Sequence, residues 1–346
     1  MTTAIGAIGD SLAAPPRPLR VGMVGVGRHA RIVLLPAIAQ LPQHLQLVAF
    51  ATAHPETARA VEDRFHVRTH VGYEALIADD EVEAVLVVGG RQGEEIVAAL
   101  EAGKPVWTET PGVASVEDAR RIRSLAQERG SLVQVGSCLR YAPVYQRIQR
   151  LLADWRAADP GPRSYAVRYF PYVGHFYNLL LALAGDIAAV CALGTAGGTA
   201  ASILLRFQSG EIGSLQWQRF ANNALPYERV EIAAASGLLA AEDGRVLRFH
   251  RTREPVPNDA LSFETTEGEL YEPSFSLPYG QNGQLYYRGY VPELAHFVHC
   301  LRSGEPPLCG VDDAEKTLLV GQAVKRSLDG GAQWVDVEPG SWDEQR

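Results

Sequence analysis

The chain has 346 residues, 47% of them hydrophobic and 21% charged, which excludes a wholly disordered polymer and supplies enough chain for two domains. Lys+Arg 32 against Asp+Glu 40 leaves a net charge of −8, so the chain has no general attraction to nucleic-acid phosphates or anionic membranes. The longest apolar run, Asn178 to Leu193, is interrupted by Gly185 and Asp186 and falls short of the ~18 residues of a membrane span.

Residues 1–18 carry no Lys or Arg ahead of their apolar stretch, which contains Asp10, and read as a mobile leader rather than a secretory signal. From residue 19 to 137, short apolar runs alternate with helical patterns. Leu19–Val24 reads as a strand and Arg28–Gln40 as a helix kinked at Pro36. Leu45–Ala51 reads as a strand, Pro55–Phe65 and Tyr73–Ala78 as helices, and Val82–Val88 as a buried strand. A helix then runs to Ala102, where Gly103 stops it. Pro105–Thr108, Ser115–Arg129 and Leu132–Val135 read as strand, helix and strand. This alternation predicts a doubly wound parallel sheet, covered on both faces by helices.

After Ser137 the pattern changes, and residues 138–346 read as an α+β domain with a mostly antiparallel, open-faced sheet. Its expected elements are helix Ala142–Trp155, strands Ser164–Phe170, Ala200–Phe207, Ile212–Arg219, Arg229–Ala234 and Arg245–His250, and helices Gly174–Ala184, Val291–Arg302 and Asp312–Leu328. The polar, Pro- and Gly-rich segment 254–283 reads as one long loop. Cys138, Cys191, Cys300 and Cys309 form no C-x-x-C pair, which fits a reducing, cytoplasmic setting. His296, His299 and Cys300 lie near one another on an amphipathic helix without a fourth ligand, so no metal is expected.

The first strand ends in VGMVGVGRHA, where Gly25, Gly27 and Ala30 make G-x-G-x-x-A. Gly25 permits a tight turn, Gly27 lets backbone approach a pyrophosphate, and Ala30 lets the helix sit close to the strand. The unpaired N–H groups of the helix start then aim at the phosphates, with Arg28 and His29 at its mouth. This strand–turn–helix context predicts dinucleotide binding. Thr52, at the end of the second strand, stands where NAD binders usually place an acid on the ribose. A neutral residue there removes a charge that would repel a 2′-phosphate. His54, Arg59 and Arg28 are candidates to pair with that phosphate, so NADP is preferred and NAD remains possible.

On RVGMVGVGRHA, LPAI (35–38), EAGKPVWTETP (101–111), VGSCLRYAPVY (135–145), GHFYNLLLALAGD (174–186) and FVHCLRSGEPPLCGVDDA, the chain resembles the Gfo/Idh/MocA family of NAD(P)-dependent oxidoreductases. The resemblance spans about 19–335. It implies a Rossmann domain, a sheet domain, a sugar-like or polyol substrate held over the nicotinamide, and homodimers or homotetramers through the sheet. It also places Gly89, Gly90 and Pro111 against the cofactor. Glu109 ends the fifth strand, a usual place for ligand contacts, or else only anchors the loop before Pro111. Arg140 and Tyr141 follow the sixth strand toward the substrate, where Arg140 holds a carboxylate or phosphate or salt-bridges between the domains.

Four departures cluster at the implied site. The family's Glu-Lys-Pro is Glu109-Thr110-Pro111, and Thr110 can hydrogen-bond but carries no charge. The family's Asp-x-Gly-x-His is Pro171-Tyr172-Val173-Gly174-His175, keeping the histidine without its acid, and Asn178 replaces the aspartate that often follows three residues on. Gly89-Gly90-Arg91 stands in place of Thr-Pro-Asn-x-x-His. His175 is then the first candidate for proton transfer, because its ordinary pKa of about 6.5 suits that role. Tyr172 and Thr110 are the others.

The leading expectation is an NAD(P)-dependent oxidoreductase acting on a ketone, alcohol or imine, with an atypical proton relay at His175. A cofactor-binding regulator or partner subunit without turnover, and a non-redox lyase or glycosidase on the same scaffold, are the alternatives.

Overall fold

A computed structural model of the chain describes residues 17–89, 92–169, 173–219, 228–252, 266–273 and 283–337. The described residues fall into two compact units, one within Met1–Cys138 and Gly280–Glu315, the other within Leu139–Tyr279 and Lys316–Arg346. A linear reading assigns all of 138–346 to a second domain, whereas Gly280–Glu315 returns to the first unit.

The first unit carries strands β1 (Leu19–Val24), β2 (Leu45–Thr52), β3 (Arg68–Val71), β4 (Ala84–Val87), β5 (Val106–Glu109) and β6 (Val133–Gly136). Every neighbouring pair is parallel and the order is β3-β2-β1-β4-β5-β6. β4 and β6 are buried along their whole length, as strands covered on both faces must be.

The helix expected over 28–40 is present with a defect. Ala30–Leu34 is wound as a π-helix and continues as α1 (Leu35–Ile38). Leu35 N–H donates to Ala30 O, five residues back. Pro36, which has no N–H, enters directly after this widened turn, and the wide turn takes up the missing bond without breaking the helix. Helices α2 (Pro55–Phe65), α3 (Tyr73–Ile77), α4 (Gly93–Glu101) and α5 (Val116–Arg129) follow between the strands. Ser115 caps α5 by accepting from Asp118 N–H at 3.0 Å, and Gly130 ends it in the left-handed region.

Late in the chain come α8 (Gly283–Tyr287) and α9 (Tyr290–Ser303), numbered after α6 and α7 of the second unit. Leu294, Phe297 and Val298 of α9 are buried in one core with Val21, Met23, Leu34, Leu86 and Trp107. That apolar stripe explains why this segment belongs to the first unit.

The second unit holds α6 (Pro143–Ala158), α7 (Val173–Ala184) and a nine-stranded sheet: β7 (Ser164–Tyr169), β8 (Ile187–Gly194), β9 (Ala200–Phe207), β10 (Ile212–Gln218), β11 (Arg229–Ala234), β12 (Gly237–Glu242), β13 (Val246–Thr252), β14 (Thr266–Tyr271) and β15 (Val335–Asp336). The order is β14-β13-β12-β11-β7-β10-β9-β8-β15, antiparallel except for the parallel pair β7–β10. Helix α10 (Val311–Asp329) precedes β15. The loop expected at 254–283 contains β14, whose Thr266–Tyr271 pairs along β13. The apolar run 178–193 divides at Gly185 into the end of α7 and strand β8.

One face of this sheet is buried through Tyr165, Val167, Ile203, Leu205, Leu215, Val230 and Ile232. The alternate residues Leu204 and Ile212 are exposed, as the period of two requires.

Candidate cofactor and catalytic site

The turn after β1 is built for backbone rather than for side chains. Gly25 sits at φ +91°, and a Cβ there would overlap the carbonyl oxygen of Val88. Its N–H donates to Ala51 O at 3.0 Å, and Val88 N–H donates to Val24 O at 2.8 Å, so β1, β2 and β4 converge on it. Gly27 differs: it is exposed, and a Cβ there would meet nothing within 4 Å. Open space beside this backbone, at the start of a helix, fits a cradle into which a pyrophosphate inserts. Ala30 is fully buried under the first turn. The strand order reverses between β1 and β4, which is where open α/β sheets bind ligands. The residues present therefore fit a dinucleotide.

The neighbouring candidates sit as follows. Thr52 ends β2 and donates its hydroxyl to His54 O at 3.2 Å. His54 is the extended residue before α2, and His54, Arg59 and Arg28 are exposed. Gly89, exposed at φ +83°, follows β4. Gly90, Arg91 and Tyr172 lie outside the described residues.

Glu109 ends β5, and His29 reaches it from the mouth of the cradle, with Nε2 3.6 Å from Oε1. The pair spans the strand ends across β4. Burial raises the pKa of Glu109 above the ordinary carboxylate value, and His29 pulls it back. Thr110 donates its hydroxyl to Gly136 O at 2.5 Å, so its proton is committed to backbone. The Thr110–Pro111 peptide is cis, and Pro111 is exposed.

In the second unit, Arg140 and Tyr141 lie on a 3₁₀ turn, Cys138–Tyr141, and both are buried. Arg140 Nε donates to Asn178 O at 3.3 Å, and Arg140 O accepts from Gln146 Nε2. Asn178 Nδ2 donates to Thr317 Oγ1 at 3.1 Å. His175 stands half-buried in the first turn of α7.

Two groups escape a reading of sequence alone. Tyr290 stacks edge-on against His29 with ring centroids 5.7 Å apart. Glu293, one turn further along α9, is 1% exposed. Its signal was its position at i−4 from Phe297 and i−7 from Cys300, which puts an acid on the stripe that α9 buries. On the same helix, His296 Nε2 lies 3.2 Å from Cys300 Sγ and accepts from Leu308 N–H at 3.2 Å. No set of three or more His, Cys, Asp or Glu converges as metal ligands among the described residues.

Residues 19–137 match the model of the oxidoreductase family with the NAD-binding Rossmann fold. The inositol 2-dehydrogenase of Paracoccus denitrificans is 32% identical over 186 residues, covering 53% of this chain and 50% of that protein. The match thus spans about half the length of that relative. The myo-inositol 2-dehydrogenase of Thermotoga maritima aligns over 345 residues at 23% identity, covering 90% and 96% of the two chains. A solved levoglucosan dehydrogenase, in complex with NADH and levoglucosan, superimposes with a TM-score of 0.80 at 18% identity, covering 93% and 100%.

Proposed function

We propose that this chain, which belongs to the Gfo/Idh/MocA family of oxidoreductases, moves hydride between a nicotinamide dinucleotide and a sugar-like ketone, alcohol or imine. The observation that carries this reading is the cradle, with Gly25 closing the turn and Gly27 opening its backbone to a phosphate. When bound, the dinucleotide supplies the hydride chemistry. The chain's own residues supply grip and proton transfer. Backbone N–H groups after Gly27 hold the diphosphate. His175 is a proton-transfer group, and Arg140 with Tyr141 shapes the substrate side of the second unit. Tyr172 is a further proton donor in this reading.

NADP is the preferred cofactor. Thr52 presents no carboxylate, and Arg28, His54 and Arg59 offer exposed donors to a 2′-phosphate. The chain works as a homodimer or homotetramer through the open face of its sheet, on which Leu204 and Ile212 stand exposed.

The test is titration calorimetry with NADPH and NADH, followed by a polyol and amino-sugar panel read at 340 nm. Tighter NADPH binding and turnover of at least one polyol are expected. Absence of binding at millimolar cofactor overturns the reading. Binding without turnover of any compound favours a cofactor-holding partner subunit, for which the commitment of the Thr110 hydroxyl to Gly136 O is the supporting observation.

A further inference from the structure

The core of the first unit contains an acid that its fold does not need. Glu293 on α9 is 1% exposed, and its Oε2 accepts no hydrogen bond among the described residues. Its helix is pinned to β6, because Gln134 Nε2 donates to the Glu293 carbonyl at 2.8 Å. Burial, and after it the neighbouring Glu109, push the Glu293 carboxyl well above the ordinary range. A buried carboxyl oxygen lacking a partner costs stability, and an apolar side chain of similar size would avoid that cost. Acids held at such cost cluster where protons are moved.

The surroundings give this acid a direction. It lies near enough to Glu109 to feel that charge, and the Glu109 carboxylate meets His29 at 3.6 Å. Tyr290 packs edge-on against His29, and its hydroxyl is hydrogen-bonded with the Cys138 thiol. Glu293 and, more weakly, Arg288 are the further charges acting on Tyr290. The cluster therefore draws on the first helix, β5 and α9. Glu109 and His29 lie across the strand ends at the point where the sheet order reverses. The neighbouring Thr110 hydroxyl already spends its one donor hydrogen bond on backbone.

We propose that Glu109 and His29 form an acid–base pair on the cofactor side of the parallel sheet, with the buried Glu293 behind them as a positioning residue. This rests on the oxidoreductase reading above. In alcohol oxidation the bound dinucleotide would take hydride from carbon, and the O–H electron pair would become the second C–O bond. The hydroxyl proton passes to the Glu109 carboxylate, which takes the base role given above to His175, and on through half-exposed His29 to water. Carbonyl reduction runs the same path backwards. Burial favours the protonated form of Glu293, which keeps a second negative charge from forming beside Glu109.

The cofactor-free protein, labelled with carbon-13 at glutamate Cδ, tests the pair without turnover. The Glu293 signal is expected to remain that of a neutral acid at pH 7. Its titration midpoint is expected to fall in Glu109→Gln, and that of Glu109 to rise in His29→Asn. In steady-state kinetics at saturating cofactor and substrate, Glu109→Gln and His29→Asn are each expected to lower kcat by about 10²-fold or more. Glu293→Gln is expected to remove the alkaline limb of the pH profile. An ionised Glu293 at pH 7, or wild-type kcat in both Glu109→Gln and His29→Asn, overturns the proposal. If Glu293→Gln does not fold, the other two variants decide. Failure of the wild-type chain to bind any dinucleotide sinks the oxidoreductase reading instead, and the labelled titrations still report whether the pair exists.

Discussion

Two buried titratable groups on α9 give the first unit opposite sensitivities to pH. Glu293 has a folded pKa above its unfolded one. Between those values the native chain holds a proton that the unfolded chain has released, so stability falls as pH rises, by about 1.4 kcal/mol per pH unit for one proton. His296 runs the other way. Burial lowers its pKa to about 4, so between roughly 6.5 and 4 the unfolded chain binds a proton that the native chain refuses, and stability falls as pH falls. Glu293→Gln is therefore expected to be more stable than the parent at pH 8 and close to it at pH 4.5. His296→Gln is expected to flatten the acid side. Urea unfolding at pH 4.5, 6, 7 and 8 checks both, and a Glu293→Gln midpoint below the parent's at pH 8 contradicts the assignment. The burial of neither group was legible beforehand. VPELAHFVHCLRSG shows an amphipathic helix, but which flank is covered depends on β6 and β1, far away in sequence.

The cradle was legible because its requirements are local. G-x-G-x-x-A after an apolar strand specifies a turn, an open backbone and a close helix within six residues. The different roles the motif gives its two glycines appear in the space around each. Gly25→Ala puts a Cβ into the Val88 carbonyl at a φ of +91°, and is expected to destabilise the chain by about 2 kcal/mol or more. Gly27→Ala meets nothing within 4 Å, so its melting temperature is expected to stay near the parent's while affinity for NADPH falls at least tenfold. Thermal melts beside calorimetry distinguish them, and equal affinity in Gly27→Ala would remove the phosphate from this turn. Other elements escaped the sequence for identifiable reasons. β8 (IAAVCALG) lacks the alternation by which a half-buried strand is recognised. β12 (GLLAAE) is short and unpatterned, and β14 (TEGELY) carries two acids and a glycine within a polar stretch. The parallel pair β7–β10 was out of reach as well, since register between distant strands is set by tertiary packing.

For the molecule as a whole, the open sheet poses a question of solubility that a second copy would answer. Successive residues on β9 and β10 alternate: Ile203, Leu205 and Leu215 are buried, while Leu204 is 49% and Ile212 60% exposed. Leu193, on the neighbouring β8, is 67% exposed. Single exposed apolar residues are ordinary, but three on adjoining strands of one sheet make a surface that association would cover. A two-fold pairing of such a face buries the same side chains twice, so paired charges there are doubly disfavoured. Sedimentation velocity at micromolar concentration is expected to show a dimer or tetramer for the parent chain. Leu204→Lys with Ile212→Lys is expected to shift it to monomer, because both ammonium groups keep their hydration at an exposed site and lose it at an interface. The folded unit itself has no reason to weaken, since neither position touches the buried face of the sheet. A parent chain that sediments as a monomer, or a double variant that stays associated, would move the contact elsewhere and leave Leu204 and Ile212 as ordinary surface.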